Sequence, residues 1–153
     1  MMILCPHFLI DIMKNLVIIG AGGMGRTIFD VARESIGYGI EYTIKGFIDD
    51  NLSALDGFED YPPMLGTISH YLPEVDDVFT FSIGGESRRV CIEYLMERNA
   101  KFINIVHSTA RIGSNVRMGE GNVIGAFTSL GADCSIGSYN MIQSYTVIGH
   151  DAK

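Results

Sequence analysis

The sequence predicts two architectures in one chain: an α/β unit built on a parallel sheet, then a parallel β-solenoid with a six-residue period. Three observations carry this. Strand-like and helix-like apolar patterns alternate through about residue 104, a glycine-rich turn joins the first strand to the first helix, and from Val106 an aliphatic residue recurs at every sixth position.

The first thirteen residues, "MMILCPHFLIDIM", read as an extension of the fold. They lack the basic start and small-residue cleavage site of a signal peptide, and Asp11 interrupts the apolar run. An α/β unit is expected over residues 14–104. "NLVIIG" is a buried strand, and "GRTIFDVARESI" a helix with Ile28, Val31, Ala32 and Ile36 on one face. "YTIKGFIDD" is a second strand ending in two acids. The segment "NLSALDGFEDYPPMLGTISHYLPE" holds three of the four prolines and reads mostly as loop. "DDVFTFSIGG" is a further strand running into a glycine pair, "ESRRVCIEYLMERN" a helix with Val90, Tyr94 and Leu95 at core spacing, and "KFINIV" a last strand.

Residues 105–153 follow a different grammar. In sixes from Val106 the chain reads VHSTAR, IGSNVR, MGEGNV, IGAFTS, LGADCS, IGSYNM, IQSYTV and IGHDAK. Each block opens with an aliphatic residue or Met, six of the eight place Gly next, and the fifth place is small or modest in size. Each block is expected to give one short flat strand and one turn, with the opening residue pointing into a narrow core and the glycine suiting a tight corner. The last block is as regular as those before it and nothing caps it, so the array is expected to be interrupted at Lys153.

Composition bounds the function classes. The chain has 153 residues, 47% hydrophobic and 19% charged, as expected of a globular protein. Its apolar runs fall short of a membrane span. A net charge of −7, from 18 acids against 11 bases, argues against nucleic acid or anionic lipid as a partner. Three scattered cysteines, Cys5, Cys91 and Cys134, fit neither a disulfide framework nor a metal site, and suggest a reducing cytoplasm. No GxSxG elbow, P-loop or HExxH is present.

The chemistry concentrates in a few places. "GAGGMG" puts Gly20, Gly22 and Gly25 in GxGxxG spacing, with Gly23 between, where backbone N–H groups at a helix start can hold a phosphate. Asp49 and Asp50 at the end of the second strand can accept hydrogen bonds from a ribose or a base edge, or stand solvated. Gly84, Gly85 and Glu86 form another strand-to-helix turn, with Arg88 and Arg89 as candidates to neutralise phosphate. By themselves these features also fit a nicotinamide oxidoreductase.

The combination resembles the NeuD/PglD family of sugar acetyltransferases, through "VIIGAGGMG", "GFIDD", "SIGGESRR", "IVHSTARIG" and "TVIGHD". That resemblance implies a Rossmann-like domain that binds a sugar nucleotide rather than NAD. A left-handed parallel β-helix would follow, assembling trimers and holding acetyl-CoA between subunits, with no metal. It implies acetyl transfer to a UDP-linked amino sugar or to sialic acid for surface glycans, in the cytoplasm. Gly20, Gly22, Gly23, Gly25, Asp49 and Asp50 would line the nucleotide site, and Gly84, Gly85 and Glu86 would close it. His150 matches the family's catalytic base and Asp151 the acid that follows it. Imidazole suits that role because it titrates near neutrality and can take a proton from an amine or hydroxyl attacking a thioester. Met24 stands where many members carry His. His107 is expected to cap the solenoid. An interrupted array also leaves open a non-catalytic trimeric sugar-nucleotide binder.

Overall fold

The computed structural model describes residues 12–153. The expected extension therefore lies, but for Ile12 and Met13, outside the described residues, as do Cys5 and His7.

The first strand, β1 (Lys14–Ile19), is an unbroken apolar run because both faces of the sheet are covered: Leu16, Val17, Ile18 and Ile19 are all fully buried. Leu16 and Ile18 pack under helix α1 (Gly23–Arg33), while Val17 and Ile19 pack with the second helix. Strands β2 (Tyr42–Ile48), β3 (Met64–Gly66) and β4 (Asp77–Phe81) complete a four-stranded sheet of order β3-β2-β1-β4, parallel throughout. Helix α2 (Gly85–Met96) covers the other face.

The proline-rich segment is mostly loop, as expected, with one short strand, β3, that pairs with β2. Its three residues owe their strand to that pairing, a tertiary contact that composition does not report. Ile36 is not on the core face of α1. The helix ends at Arg33, because the backbone beyond it is captured by the start of the solenoid: Ile36 N–H donates to Val106 and Ser108 N–H to Glu34. That leaves Ile36 62% exposed. In α2 Leu95 is fully buried and Tyr94 packs partly buried against the same core, as expected, but the third core position is Ile92 and not Val90, which is 55% exposed.

"KFINIV" divides between the two architectures. Phe102 bridges to Phe79 at the edge of β4, with Phe79 N–H donating to Lys101 and Ile103 N–H to Phe79. Strand β5 (Ile105–Val106) already belongs to the solenoid. Then come β6 (Arg111–Ile112), β7 (Arg117–Met118), β8 (Val123–Ile124), β9 (Ser129–Leu130), β10 (Ser135–Ile136), β11 (Met141–Ile142) and β12 (Val147–Ile148). They stack in parallel as β5-β8-β11, β6-β9-β12 and β7-β10. Each residue thus lies over its counterpart eighteen places on, and three hexads make one triangular coil.

The inward residues are as the period predicts at the centre of the stack: Ile124, Leu130 and Cys134 are fully buried, with Thr128 1% exposed. Buried polar groups are satisfied along the stack. Asn104, Asn122 and Asn140 form a ladder in which each side-chain oxygen accepts the next backbone N–H, at 2.8 and 2.9 Å.

The glycines play a different part from the one expected. Positive φ recurs at the fourth place of the block, at Asn115, Gly121, Phe127, Asp133, Tyr139, Tyr145 and Asp151, so the corner is turned there. Glycine at the second place instead lets coils stack. A Cβ on Gly131 would sit 2.5 Å from the His150 backbone nitrogen, and one on Gly125 2.5 Å from that of Ser144. Gly131→Ala is therefore expected to cost about 1–3 kcal/mol by overpacking against backbone, read as a lowered Tm. An unchanged Tm would show that the coils part freely.

A candidate nucleotide cradle and a separate His–Asp corner

The sheet order sets where a ligand can sit. Connections leave β1 toward β2 on one side, while β4 lies on the other, so the crevice between β1 and β4 is the switch point of the sheet. Both strands run into a glycine turn and a helix start there: Gly20 to Gly25 into α1, and Gly84 and Gly85 into α2.

The four loop glycines have two jobs. Gly20 has φ +95°, and a Cβ there would strike Ser82 and Ile83; one on Gly25 would strike the Gly20 carbonyl, so these two permit the tight turn itself. Gly22 and Gly23 face open space, with only the Arg26 guanidinium near Gly23 at 3.9 Å. Gly22 caps α1 without any side-chain hydrogen bond, leaving the first N–H groups of the helix available to an anion. Gly84 caps α2 in the same bare manner, and neither it nor Gly85, at φ +64°, has a neighbour in the way.

The acids are engaged within the protein. Asp49 accepts the Ala21 N–H on one oxygen and the Asn51 N–H on the other, each at 2.8 Å, so it braces the glycine loop from the end of β2. Asp50 accepts the Ile68 N–H at 3.1 Å. Glu86 pairs with Arg89 at 2.5 Å, and Arg89 also approaches Glu93 at 3.7 Å, so the charge of Arg89 is offset locally. Arg88 lies over the Phe81 ring at 5.1 Å.

Sequence reasoning missed two residues here. Ser82, just after β4, donates to the Ile19 and Gly20 carbonyls at 2.8 and 3.0 Å and locks the glycine loop to the neighbouring strand. Arg26, one turn into α1, is held 3.6 Å above the Phe58 ring. A base within the first turn after a glycine loop is a signal that the sequence did carry.

The second cluster lies elsewhere. His150 Nδ1 is 2.6 Å from Asp151 Oδ2, and both side chains are mostly exposed, at 82% and 74%. The carboxylate accepts from Nδ1, which places a ring proton there and leaves Nε2 turned away from Asp151. Asp151 adopts φ +58° at its corner, directing its side chain beside the ring.

These two clusters do not meet within one chain. Helix α1 lies on the solenoid face formed by β5, β8 and β11, sharing a core with Ile105 and Val123. His150 follows β12 and precedes the side that holds β7 and β10, which is the corner opposite that face.

His107 is buried at 6% exposure and does more than close an end. Its Nδ1 accepts the Thr109 N–H at 3.1 Å, so Nε2 carries the proton and donates to Glu34 at 2.9 Å, tying the end of α1 to the first coil. Cys91 is half-buried with its thiol pKa raised by burial and by the Asp50 charge, a poor nucleophile. Among the described residues no cluster of His, Cys, Asp and Glu could hold a metal ion, and no helix is long and apolar enough to cross a membrane.

Comparisons with known proteins match this architecture. Residues 15–95 match the PglD N-terminal domain, and residues 115–150 the bacterial transferase hexapeptide model of six repeats. A UDP-N-acetylbacillosamine N-acetyltransferase of Bacillus subtilis (strain 168) is 31% identical over 117 residues, covering 73% of this chain and 51% of that protein. The chain thus spans about half the length of this curated relative. Among solved structures, the acetyltransferase domain of PglB from Neisseria gonorrhoeae FA1090, in complex with acetyl coenzyme A, superposes with a TM-score of 0.75 at 23% identity, over 91% of this chain and 66% of that one. PerB from Caulobacter crescentus, in complex with CoA and GDP-perosamine, gives 0.73 at 24% identity, over 90% and 64%. The shared fold is a Rossmann-like α/β domain followed by a left-handed parallel β-helix.

Proposed function

Because the chain belongs to the family of the PglD N-terminal domain joined to transferase hexapeptide repeats, we propose that it works as an acetyl-CoA-dependent N-acetyltransferase on a nucleotide-linked amino sugar. The observation that carries this reading is the bare helix start at Gly22 and Gly23, at the switch point of the sheet, on a helix that lies flat against the hexapeptide face. It offers a diphosphate an anion site built into the transferase scaffold. A free sialic acid would leave that site without a phosphate, so the nucleotide-linked acceptor is preferred. The UDP-linked sugar named for the Bacillus relative and the GDP-perosamine bound to PerB are both of this class. Acetyl-CoA and a nucleotide sugar as substrates would favour a cytoplasmic reaction.

In the proposed reaction the sugar amine attacks the thioester carbonyl, its proton passes to His150 Nε2, and the tetrahedral intermediate collapses to amide and CoA thiolate. The thiolate then takes the proton from the imidazolium. Asp151 holds the tautomer that makes this possible. Because His150 and the nucleotide cradle lie on opposite sides of one solenoid, the acceptor held by one copy would meet the His150 of a neighbouring copy. This supports a homotrimer assembled through the β-helix.

Gly20 to Gly25 and the turn Gly84, Gly85 and Glu86 would flank the diphosphate. Asp49 and Asp50 would hold the loops around it rather than serve mainly as ligands, since their oxygens already accept backbone N–H groups. That use of Asp49 also weighs against a dinucleotide site, in which this acid would accept the ribose hydroxyls. Calorimetric titration with UDP, GDP and NADH tests the reading. A nucleoside diphosphate should bind and NADH should not; binding of NADH alone would overturn the assignment.

A further inference from the structure

The hexad rule has two exceptions at its second place, and the fold explains only one. Six blocks carry glycine there; His107 and Gln143 replace it. Being thirty-six residues apart, they flank Gly125 in one row, at the edge of the face that carries α1. His107 is accounted for by its bond to Glu34 at the carboxyl end of α1. Gln143 stands toward the other end of that helix. Its backbone carbonyl accepts the Thr128 hydroxyl, but its exposed carboxamide has no hydrogen-bond partner among the described residues.

Gln143 forms part of the wall of a cleft of about 160 Å³ between α1 and the solenoid. Met24, Thr27 and Ile28 line it from the first turns of the helix, and Met141 and Ile142 from β11. The apolar wall has no partner side chain filling it, and the opening lies beside the turn whose N–H groups are free at Gly22 and Gly23. A group attached to a diphosphate on that turn has this cleft as its nearest recess.

We propose that the cleft is the subsite for the sugar ring of the acceptor, and that Gln143 determines its specificity. This rests on the nucleotide-sugar reading above. Met24, Ile28 and Ile142 give an apolar wall suited to a methyl-bearing substituent, a deoxy carbon or an acetamido methyl. The carboxamide both donates and accepts, so it can read a hydroxyl or acetamido group on the same ring. Gln143 takes no part in proton transfer.

The test compares UDP and GDP with UDP-N-acetylglucosamine as a probe on the 153-residue chain, by calorimetry and by NMR of methyl-labelled methionine. Gln143→Gly, which restores the hexad rule at an exposed position, is the main variant. Thr27→Leu, which fills the mouth of the cleft from α1, is the second. The sugar nucleotide should bind more tightly than UDP, shift the Met141 methyl resonance, which UDP alone leaves in place, and shift that of Met24 beyond its position with UDP. Gln143→Gly should weaken the sugar nucleotide by about 3- to 10-fold, the worth of one neutral hydrogen bond, with UDP affinity unchanged. Thr27→Leu should erase the methyl shifts. If UDP binds but the attached sugar moves neither methyl and neither variant matters, the subsite is overturned while the functional reading stands. If neither nucleoside diphosphate binds, both fall.

Discussion

Replacing His150 with alanine is expected to slow acetyl transfer by about 100- to 10,000-fold, the range associated with loss of a positioned general base, while nucleotide-sugar binding is unchanged. The separation follows from the geometry. Among the described residues the imidazole hydrogen-bonds only to the Asp151 carboxylate; it is 82% exposed and lies on the far side of the solenoid from the glycine loop. Its removal leaves no cavity and no buried orphan, so a loss of rate cannot be traced to a loss of fold. Release of CoA thiol in transferase-active protein gives the rate, and circular dichroism melting gives the control. A variant that acetylates at nearly the original rate would remove His150 from the mechanism. Asp151→Asn is expected to reduce the rate less than His150→Ala, because it disturbs the tautomer without deleting the base.

Asp77→Ala is expected to destabilise the protein by about 3–5 kcal/mol, as when one partner of a buried ion pair is deleted. Asp77 opens β4 with its side chain fully buried, accepting from Lys45 at 2.9 Å, from the Tyr71 hydroxyl at 2.7 Å and from the Glu74 N–H at 2.9 Å. Lys45 reaches it from a bulge, where β2 passes one extra residue against Leu16 and Val17 of β1. Burial alone would raise the carboxyl pKa, but the Tyr71 hydroxyl, the Glu74 N–H and the Lys45 ammonium outweigh it and hold it below its ordinary value. The Tyr71 hydroxyl is pushed up to about 12 by burial first and then by this carboxylate. The sign follows from the lowered pKa. Stability from Asp77 is complete above the carboxyl's unfolded value near about 4 and is lost as pH falls through the lower, folded value. Urea midpoints across acidic pH should therefore converge for wild type and Asp77→Ala. A difference under about 1 kcal/mol at neutral pH, within the range of exposed ion pairs, would mean that water replaces the carboxylate without loss.

Sequence legibility followed the range of the interactions involved. The run at Leu16 to Ile19 announced a strand because burial on both sides leaves no polar position to break it. The hexad frame announced a stacked array because each coil repeats the demands of the last. Where structure depends on what lies across a gap, the chain was silent. β3 exists by pairing, and Ile36 lost its helix to bonds with residues some seventy positions away. The glycines were legible as a pattern but not in purpose, since their reason is the backbone of the next coil. For the candidate site, GxGxxG marked the bare helix start at the sheet's switch point, yet nothing local could say that Asp49 would be spent on Ala21 or that Ser82 would lock the loop. The position of His150 opposite α1 required knowing which face of the triangle the helix covers.

The triangular stacking also constrains how such a chain can change length over time. Counterparts lie eighteen residues apart, so an insertion of eighteen after Leu130, or a deletion of residues 131–148, keeps His150 on its corner and merely moves it up or down the axis. One of six keeps every aliphatic residue pointing inward and spares the core, but it rotates the imidazole by a third of a turn onto a different edge. A chain can therefore gain or lose single hexads without unfolding and still misplace the imidazole. The phase of that corner around the axis is preserved only by changes of whole coils.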